Sequence, residues 1–335
     1  MTAENGTGAT LEGMGWDAFF AAQVSPPETG LLPMRIATVH RARMSAIALD
    51  GRVKLKLEQH TNTADYAVGD WVLVEPHTNI LHRRLDRKSV LQRHTEGAKV
   101  PQLIAANIDT LFIVTSCNAD FNPARLERYL ALTNEAEINP VMVLTKADIA
   151  EDAEKYAIDA RALQRDLEVV TLNAKTPDAA AVLAPWCGPG QTVALVGSSG
   201  VGKSTLLNTL AGSGDEVQET GAIRDSDAKG RHTTTARSLH AIAGGGWVID
   251  TPGMRTLHVS DVAEGIDILF AEITELTPDC KFRDCTHRHE PGCAVLAAAK
   301  SGALDPERLA RWYKLQDENR DNAKPAPGSR GFKKR

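Results

Sequence analysis

Hydrophobic positions follow different periods in different parts of this 335-residue chain. Between residues 34 and 95 apolar side chains alternate with polar ones, as in 35–39 (Arg-Ile-Ala-Thr-Val) and 53–57 (Val-Lys-Leu-Lys-Leu). A Val68-Gly69-Asp70 turn leads into the apolar run 71–74. Short period-two runs punctuated by turn residues predict a small β-barrel. From about residue 107, apolar runs with strand lengths (110–115, 141–144, 168–172, 191–196) alternate with helical patterns (123–137, 153–167, 203–211). This alternation predicts a parallel sheet with helices on both faces. Two further strands, 239–243 and 247–250, flank a Gly244-Gly245-Gly246 turn, and helices are predicted at 16–23 and 306–318. Residues 212–237 are polar and Gly-dotted, the composition of a mobile loop.

Composition narrows the class. Hydrophobic content of 42% and charged content of 24% are ordinary for globular chains, and the length suggests two or three domains. A net charge of −5 argues against coating nucleic acid by bulk charge. A local basic stretch nevertheless ends the barrel region: Arg83, Arg84, Arg87, Lys88 and Arg93. The first residues lack the charged and apolar regions of a signal peptide, and no apolar run has membrane-helix length. The expectation is a cytoplasmic protein without a membrane partner. Three of the five cysteines lie between Cys280 and Cys293, which fits a reduced protein with a metal site better than a disulfide framework.

Residues 197–204, Gly-Ser-Ser-Gly-Val-Gly-Lys-Ser, fit the phosphate-loop pattern and lie between a predicted strand and a predicted helix. The glycines let successive N–H groups of Gly197, Ser198, Ser199, Gly200, Val201 and Gly202 turn toward phosphates. Lys203 can reach the β- and γ-phosphates, the Ser204 hydroxyl can ligate magnesium, and Thr205 follows in the first helical turn. Thr145-Lys146-Ala147-Asp148 follows another strand and resembles the guanine-reading Asn-Lys-x-Asp of GTPases. A carboxylate there accepts both the N1–H and the 2-amino proton of guanine, and the Lys stem lies over the base. Thr145 in place of Asn predicts a weaker supporting hydrogen bond. Asn173-Ala174-Lys175 resembles the Ser-Ala-Lys loop whose backbone N–H meets guanine O6.

Asp250-Thr251-Pro252-Gly253 resembles the Asp-x-x-Gly switch: Asp250 would hold magnesium through water and the Gly253 N–H would sense the γ-phosphate. Between phosphate loop and switch lies Gly230-Arg231-His232-Thr233-Thr234-Thr235, where one threonine would ligate magnesium. The guanine motif precedes the phosphate loop, the reverse of the Ras order, so the domain reads as a circular permutation. Cys280-x4-Cys285-x-His287-x5-Cys293 supplies three thiolates and an imidazole, a closed tetrahedral set of the structural zinc type, with His289 the competing ligand.

Together, the Val-Gly-Asp-Trp-Val barrel segment, these permuted motifs, Gly-Arg-His-Thr-Thr-Thr and the Cys/His spacing resemble the bacterial ribosome-small-subunit-dependent GTPase A family (RsgA, also called YjeQ) over residues 16–320. The resemblance implies a multidomain chain: an extension (1–32), an OB-type β-barrel (33–97), a circularly permuted α/β P-loop GTPase domain (98–258), a mostly helical zinc domain (259–320) and a basic, disordered tail (321–335). It implies binding of GTP and GDP, zinc and magnesium cofactors, and a role in late maturation of the 30S subunit, whose rRNA it would contact and which would stimulate hydrolysis. It also points to Thr234 as the magnesium threonine. A monomer is expected. Met254 stands where Ras-type enzymes carry the water-orienting Gln. His232, which the family shares, is therefore the candidate for positioning the attacking water. The other readings of the sequence are an RNA-binding assembly module with a passive nucleotide site and a small-molecule kinase, the latter without an acceptor-site motif. The stretch 83–93 and Lys281, Arg283 and Arg288 are expected to face phosphates.

Overall fold

The computed structural model describes residues 10–93, 100–212, 237–251 and 259–322. Five antiparallel strands come first: β1 (Leu32–His40), β2 (Arg43–Ala48), β3 (Gly51–Lys54), β4 (Trp71–Val74) and β5 (Leu81–Arg84). β1 pairs with both β2 and β4, β2 with β3, and β4 with β5. A Lys56–Ile80 bridge joins the two ends into a small barrel. Met34, Ile36, Met44, Ala46, Val72, Val74 and Leu81 fill its interior, the alternation that the sequence pattern foretells. Residues 10–31 cover the outside. The short helix α1 (Ala18–Ala21), capped by the Asp17 carboxylate, sets Phe20 beside Met14 against Trp71, Leu73 and Leu85.

β1 departs from simple alternation, because residues 34–37 are all buried. Its polar Arg35 is only 1% exposed. The guanidinium donates to Met14 O at 2.7 Å, Gly69 O at 3.3 Å and Asn107 O at 3.1 Å. Those carbonyls belong to the N-terminal segment, the barrel and the entry to the next domain. Burial pushes its pKa down to about 10, so it stays charged at neutral pH.

Strands β6 (Val90–Arg93) and β7 (Gln102–Ala106) form a separate antiparallel pair. The α/β domain follows with β8 (Thr110–Ser116), α2 (Pro123–Glu135), β9 (Asn139–Thr145), α3 (Ala153–Arg161), β10 (Glu168–Thr171), α4 (Asp178–Leu183), β11 (Thr192–Val196), α5 (Lys203–Ala211), β12 (Ser238–Ala241) and β13 (Trp247–Asp250). The sheet order is β10-β9-β8-β11-β13-β12, parallel except for β12. Chain order and spatial order disagree as a permuted domain requires. β11, late in the chain, lies between β8 and β13. Both faces of the central strands are buried, so β8 reads as a continuous apolar run. Beyond β12 the sheet continues into the barrel through a Thr38–Ser238 pair of β1.

The C-terminal part contains α6 (Ala263–Leu269), α7 (Ala271–Thr274), α8 (Ala294–Ser301) and α9 (Pro306–Asn322). α6 and α9 pack over α2. α2 is therefore buried on its outer side too. Gly265 makes the closest approach: a Cβ there would lie 2.0 Å from Ala131 O. Buried Glu127 on α2 accepts from Arg308 at 2.7 Å and Arg311 at 2.8 Å, and Arg128 grips Glu318.

Three expected helices are shorter than the pattern suggests; the one at 16–23 is reduced to α1. α2 ends at Glu135 and not at 137, because Glu137 turns left-handed at φ +53°. α3 ends at Arg161 and not at 167; Asp166 is left-handed, yet Leu163 and Leu167 still reach the core. Periodicity there reports burial rather than helix. No described helix is long and apolar enough to cross a membrane.

Candidate functional site

The nucleotide motifs gather where the parallel strands end, the side of an open α/β sheet that holds ligands. Gly197 follows β11 with φ +142°, and a Cβ there would lie 2.1 Å from Val114 O, so only glycine fits. Gly200 and Gly202 also take left-handed φ values of +79° and +98°. α5 starts at Lys203 and carries Ser204 and Thr205 in its first turn. The Lys203 ammonium folds back onto Ser198 O, across the mouth of the loop.

Thr145 joins the guanine motif to the phosphate loop. Its buried hydroxyl lies 2.6 Å from Val201 O and 3.2 Å from Thr115 O. Threonine thus supplies a tether between the two loops, where the sequence suggested only a weakened bond. Lys146 turns left-handed at φ +58°, Ala147 begins a short 3-10 turn, and Asp148 is exposed on it. On the neighbouring loop the Asn173 carboxamide accepts from Lys175 N at 3.0 Å. Ala174 O accepts from Thr209 Oγ1 of α5 at 2.9 Å, a link with no sequence signal. A Cβ at Gly202 would lie 3.7 Å from both Ala174 Cβ and Thr145 Oγ1, so three loops meet there.

Asp250 ends β13 beside the phosphate-loop strand, opposite Ser238 of β12. The buried Thr251 hydroxyl donates to Leu195 O at 2.6 Å and fixes that strand end to β11. His232, Thr234, Gly253 and Met254 lie outside the described residues.

The second cluster joins Cys280, Cys285, His287 and Cys293, whose ligand atoms all lie within 4.8 Å of one another. Cys280 Sγ is 3.8 Å from Cys293 Sγ, and His287 Nδ1 is 3.4 and 3.6 Å from those two sulfurs. Tetrahedral zinc with Zn–S of about 2.3 Å and Zn–N of about 2.05 Å needs edges of roughly 3.8 and 3.6 Å. The donor set therefore fits such an ion. His289, the alternative ligand, is exposed and outside the cluster.

The groups that shape this loop were not legible beforehand. The Glu290 carboxylate accepts from the backbone N–H of Thr286 (3.0 Å), Arg288 (3.1 Å) and His289 (3.2 Å) and from the Thr286 hydroxyl. The Thr286 hydroxyl is the main reason that this carboxyl is held well below the usual carboxylate range. These bonds bracket His287, which sits left-handed at φ +60°, and the Tyr313 hydroxyl of α9 donates to its carbonyl.

Four of the eight basic residues expected to face phosphates are already paired with carboxylates. Arg83 is held by Glu28, Arg87 by buried Asp70 and Lys88 by Asp17. Arg288 pairs with Asp317 and stacks on Tyr313, and Lys281 lies over Phe282. The stretch 83–93 is in large part the fastening of the N-terminal segment to the barrel, so it is a poorer phosphate-binding face than its charge suggests.

Comparison with known proteins places these motifs in context. The family model described as RsgA GTPase matches residues 84–260. The chain is 67% identical over 325 residues to the small ribosomal subunit biogenesis GTPase RsgA of Mesorhizobium japonicum, covering 97% of this chain and 94% of that one. It is 47% identical over 316 residues to RsgA 2 of Vibrio vulnificus, covering 94% and 89%. Among solved structures, YjeQ from Thermotoga maritima matches with a TM-score of 0.63 at 25% identity, covering 86% of this chain and 98% of that one. YloQ, a circularly permuted GTPase, matches with a TM-score of 0.62 at 24% identity, covering 90% and 99%.

Proposed function

The chain belongs to the RsgA GTPase family, and from that membership and the site geometry we propose that it hydrolyses GTP to GDP and phosphate on the small (30S) ribosomal subunit during late maturation. The observation that carries this reading is the Thr145–Val201 hydrogen bond, which places a guanine-type motif beside the phosphate loop despite the permuted order. Asp148 reads the guanine N1–H and 2-amino group, Lys146 and Ala147 shape the base pocket, and the Ala174–Lys175 loop meets O6. The N–H groups of the phosphate loop and Lys203 hold the phosphates. Ser204 and Thr234 are the magnesium ligands, Asp250 acts through water, and the Gly253 N–H senses the γ-phosphate. Magnesium, when bound, neutralises charge developing on the phosphate oxygens. His232 positions the attacking water, and the subunit brings it into place, so unstimulated turnover is slow.

Cys280, Cys285, His287 and Cys293 hold one zinc ion, and with no open position its role is structural. The protein acts as a cytoplasmic monomer whose barrel and C-terminal domain touch rRNA. GTP turnover with and without purified small subunits tests the reading. Wild type should accelerate on the subunit, Lys203→Ala and Ser204→Ala should lose turnover, and His232→Ala should lose stimulation but keep GTP and subunit binding. Asp148→Asn should exchange GTP for xanthosine triphosphate. Equal rates with and without subunits would overturn the proposal and leave the passive nucleotide clamp.

A further inference from the structure

Away from the nucleotide and Cys/His sites, a groove of about 560 Å³ runs along the junction of barrel and sheet. Residues 62–68 and the end of β1 form one wall, and residues 100–104 form the other. Val68 and Ile104 give it an apolar floor, and Tyr66 stands half-buried in its wall. In a chain of net charge −5, its charged groups are unusual. Arg41 and Arg237 both line it, with His40 beside them, and Asp65 is the one carboxylate of its wall among the described residues.

Arg237 is the notable member. One guanidinium nitrogen donates to Leu103 O at 3.1 Å, but its buried Nε has no hydrogen-bond partner among the described residues. Burial and then the charge of nearby Arg93 lower its pKa. A buried donor without an acceptor is costly unless a ligand completes it. Arg41 is exposed at the rim, and its carbonyl accepts from Thr63 Oγ1 at 3.0 Å, which pins the 62–68 loop to the turn after β1. Two guanidinium forks match a phosphodiester, and an adjacent ring can stack a base.

Position gives the groove a second property. Arg237 immediately precedes Ser238, which pairs with Thr38 of the barrel on one side and Asp250 on the other. A phosphate held by Arg237 therefore fixes the start of β12 directly across from Asp250.

We propose that this groove binds a backbone phosphate of unpaired RNA through Arg237 and Arg41, with Tyr66 against the adjoining base, and that its occupancy holds β12 and Asp250 in the arrangement that hydrolyses GTP. The inference rests on the subunit-stimulated activity proposed above and names where that stimulation enters.

The test uses full-length protein, a labelled single-stranded RNA oligonucleotide, purified small subunits, and the variants Arg41→Gln, Arg237→Gln and Arg237→Lys. RNA binding is measured across a salt series, and turnover is expressed as a ratio to each variant's own unstimulated rate. Each Gln variant should flatten the log–log salt slope by about 0.7. Arg237→Gln should lower the stimulation ratio about tenfold, a loss of about 1.4 kcal/mol in transition-state stabilisation. Arg237→Lys should recover the slope but only part of the stimulation, because it restores charge without the fork. Should Arg237→Gln fail to fold, exposed Arg41→Gln decides the matter on slope alone. Displacement of the RNA by equimolar inorganic phosphate would assign the site to a free anion and overturn the proposal. A wild type unstimulated by subunits would overturn the function itself. A stimulated wild type whose Gln variants match it in slope and ratio would overturn the groove alone.

Discussion

Where the barrel meets the nucleotide-binding sheet, the contact is made by a strand pair and by two arginines that donate to main-chain carbonyls. Thr38 pairs with Ser238, Arg52 donates to Leu239 O at 3.1 Å, and Arg35 collects carbonyls from three segments. Where the C-terminal helices meet the same domain, the contact is made largely through side chains: the Glu127 cluster, the Arg128–Glu318 pair and apolar packing around Gly265. The first junction resists relative movement, because strand pairing cannot slide without losing register. The second can loosen by steps, since each ion pair breaks separately.

The largest expected effect breaks the first junction. Arg35→Met leaves the Met14 and Asn107 carbonyls without a donor, at about 1–3 kcal/mol each, while Gly69 O keeps the Asn107 side-chain amide at 3.0 Å. Global stability in urea should fall by about 4 kcal/mol, followed by tryptophan fluorescence. A loss below about 1 kcal/mol would mean that water satisfies those carbonyls and the junction is ordinary.

Glu127→Gln comes next. It leaves Arg308 with Glu272 as its one carboxylate and Leu269 O as its other acceptor, and stability should drop by about 3 kcal/mol, the low end for breaking a buried pair. Gly265→Ala should cost about 2 kcal/mol by forcing α6 off α2, although alanine favours helix. Amide hydrogen exchange should show both losses confined to the C-terminal helices and α2. Spread into the barrel would contradict two separately built junctions. Arg128→Ala should cost less than about 1 kcal/mol, and high salt should shrink that cost further, because the pair is partly exposed. Chelator treatment sharpens the contrast without mutation. Metal loss should release the 280–293 loop and the Tyr313 contact while Arg35 and the barrel keep their protection.

How far the sequence speaks differs between these regions for a physical reason. α5 and β13 fall within the residues that pattern assigns them, because phosphate-loop chemistry and two-sided burial leave few alternatives. The four members of the Cys/His cluster were legible from spacing, and the structure gathers His287 rather than His289 into it. Other features depend on partners distant in the chain. Arg35 reads as the polar half of an alternating strand, and only Met14 and Asn107 explain its burial. Gly265 carries no signal in the pattern, yet it is there for close contact with Ala131. The tether from Thr145 to Val201 spans 56 residues, and Glu290 acts through backbone N–H groups that no motif records. The residues expected at the γ-phosphate, His232, Thr234 and Gly253, fall outside the described part.

The Thr38–Ser238 pairing also bears on how the protein stays dispersed. β12 would otherwise be the outermost strand of its sheet, with a row of free N–H and C=O groups ready to recruit a strand from another molecule. The barrel is the cap for that row. A fragment beginning after residue 97 would keep every nucleotide motif, yet it would expose an adhesive margin. It should self-associate more than the intact chain does.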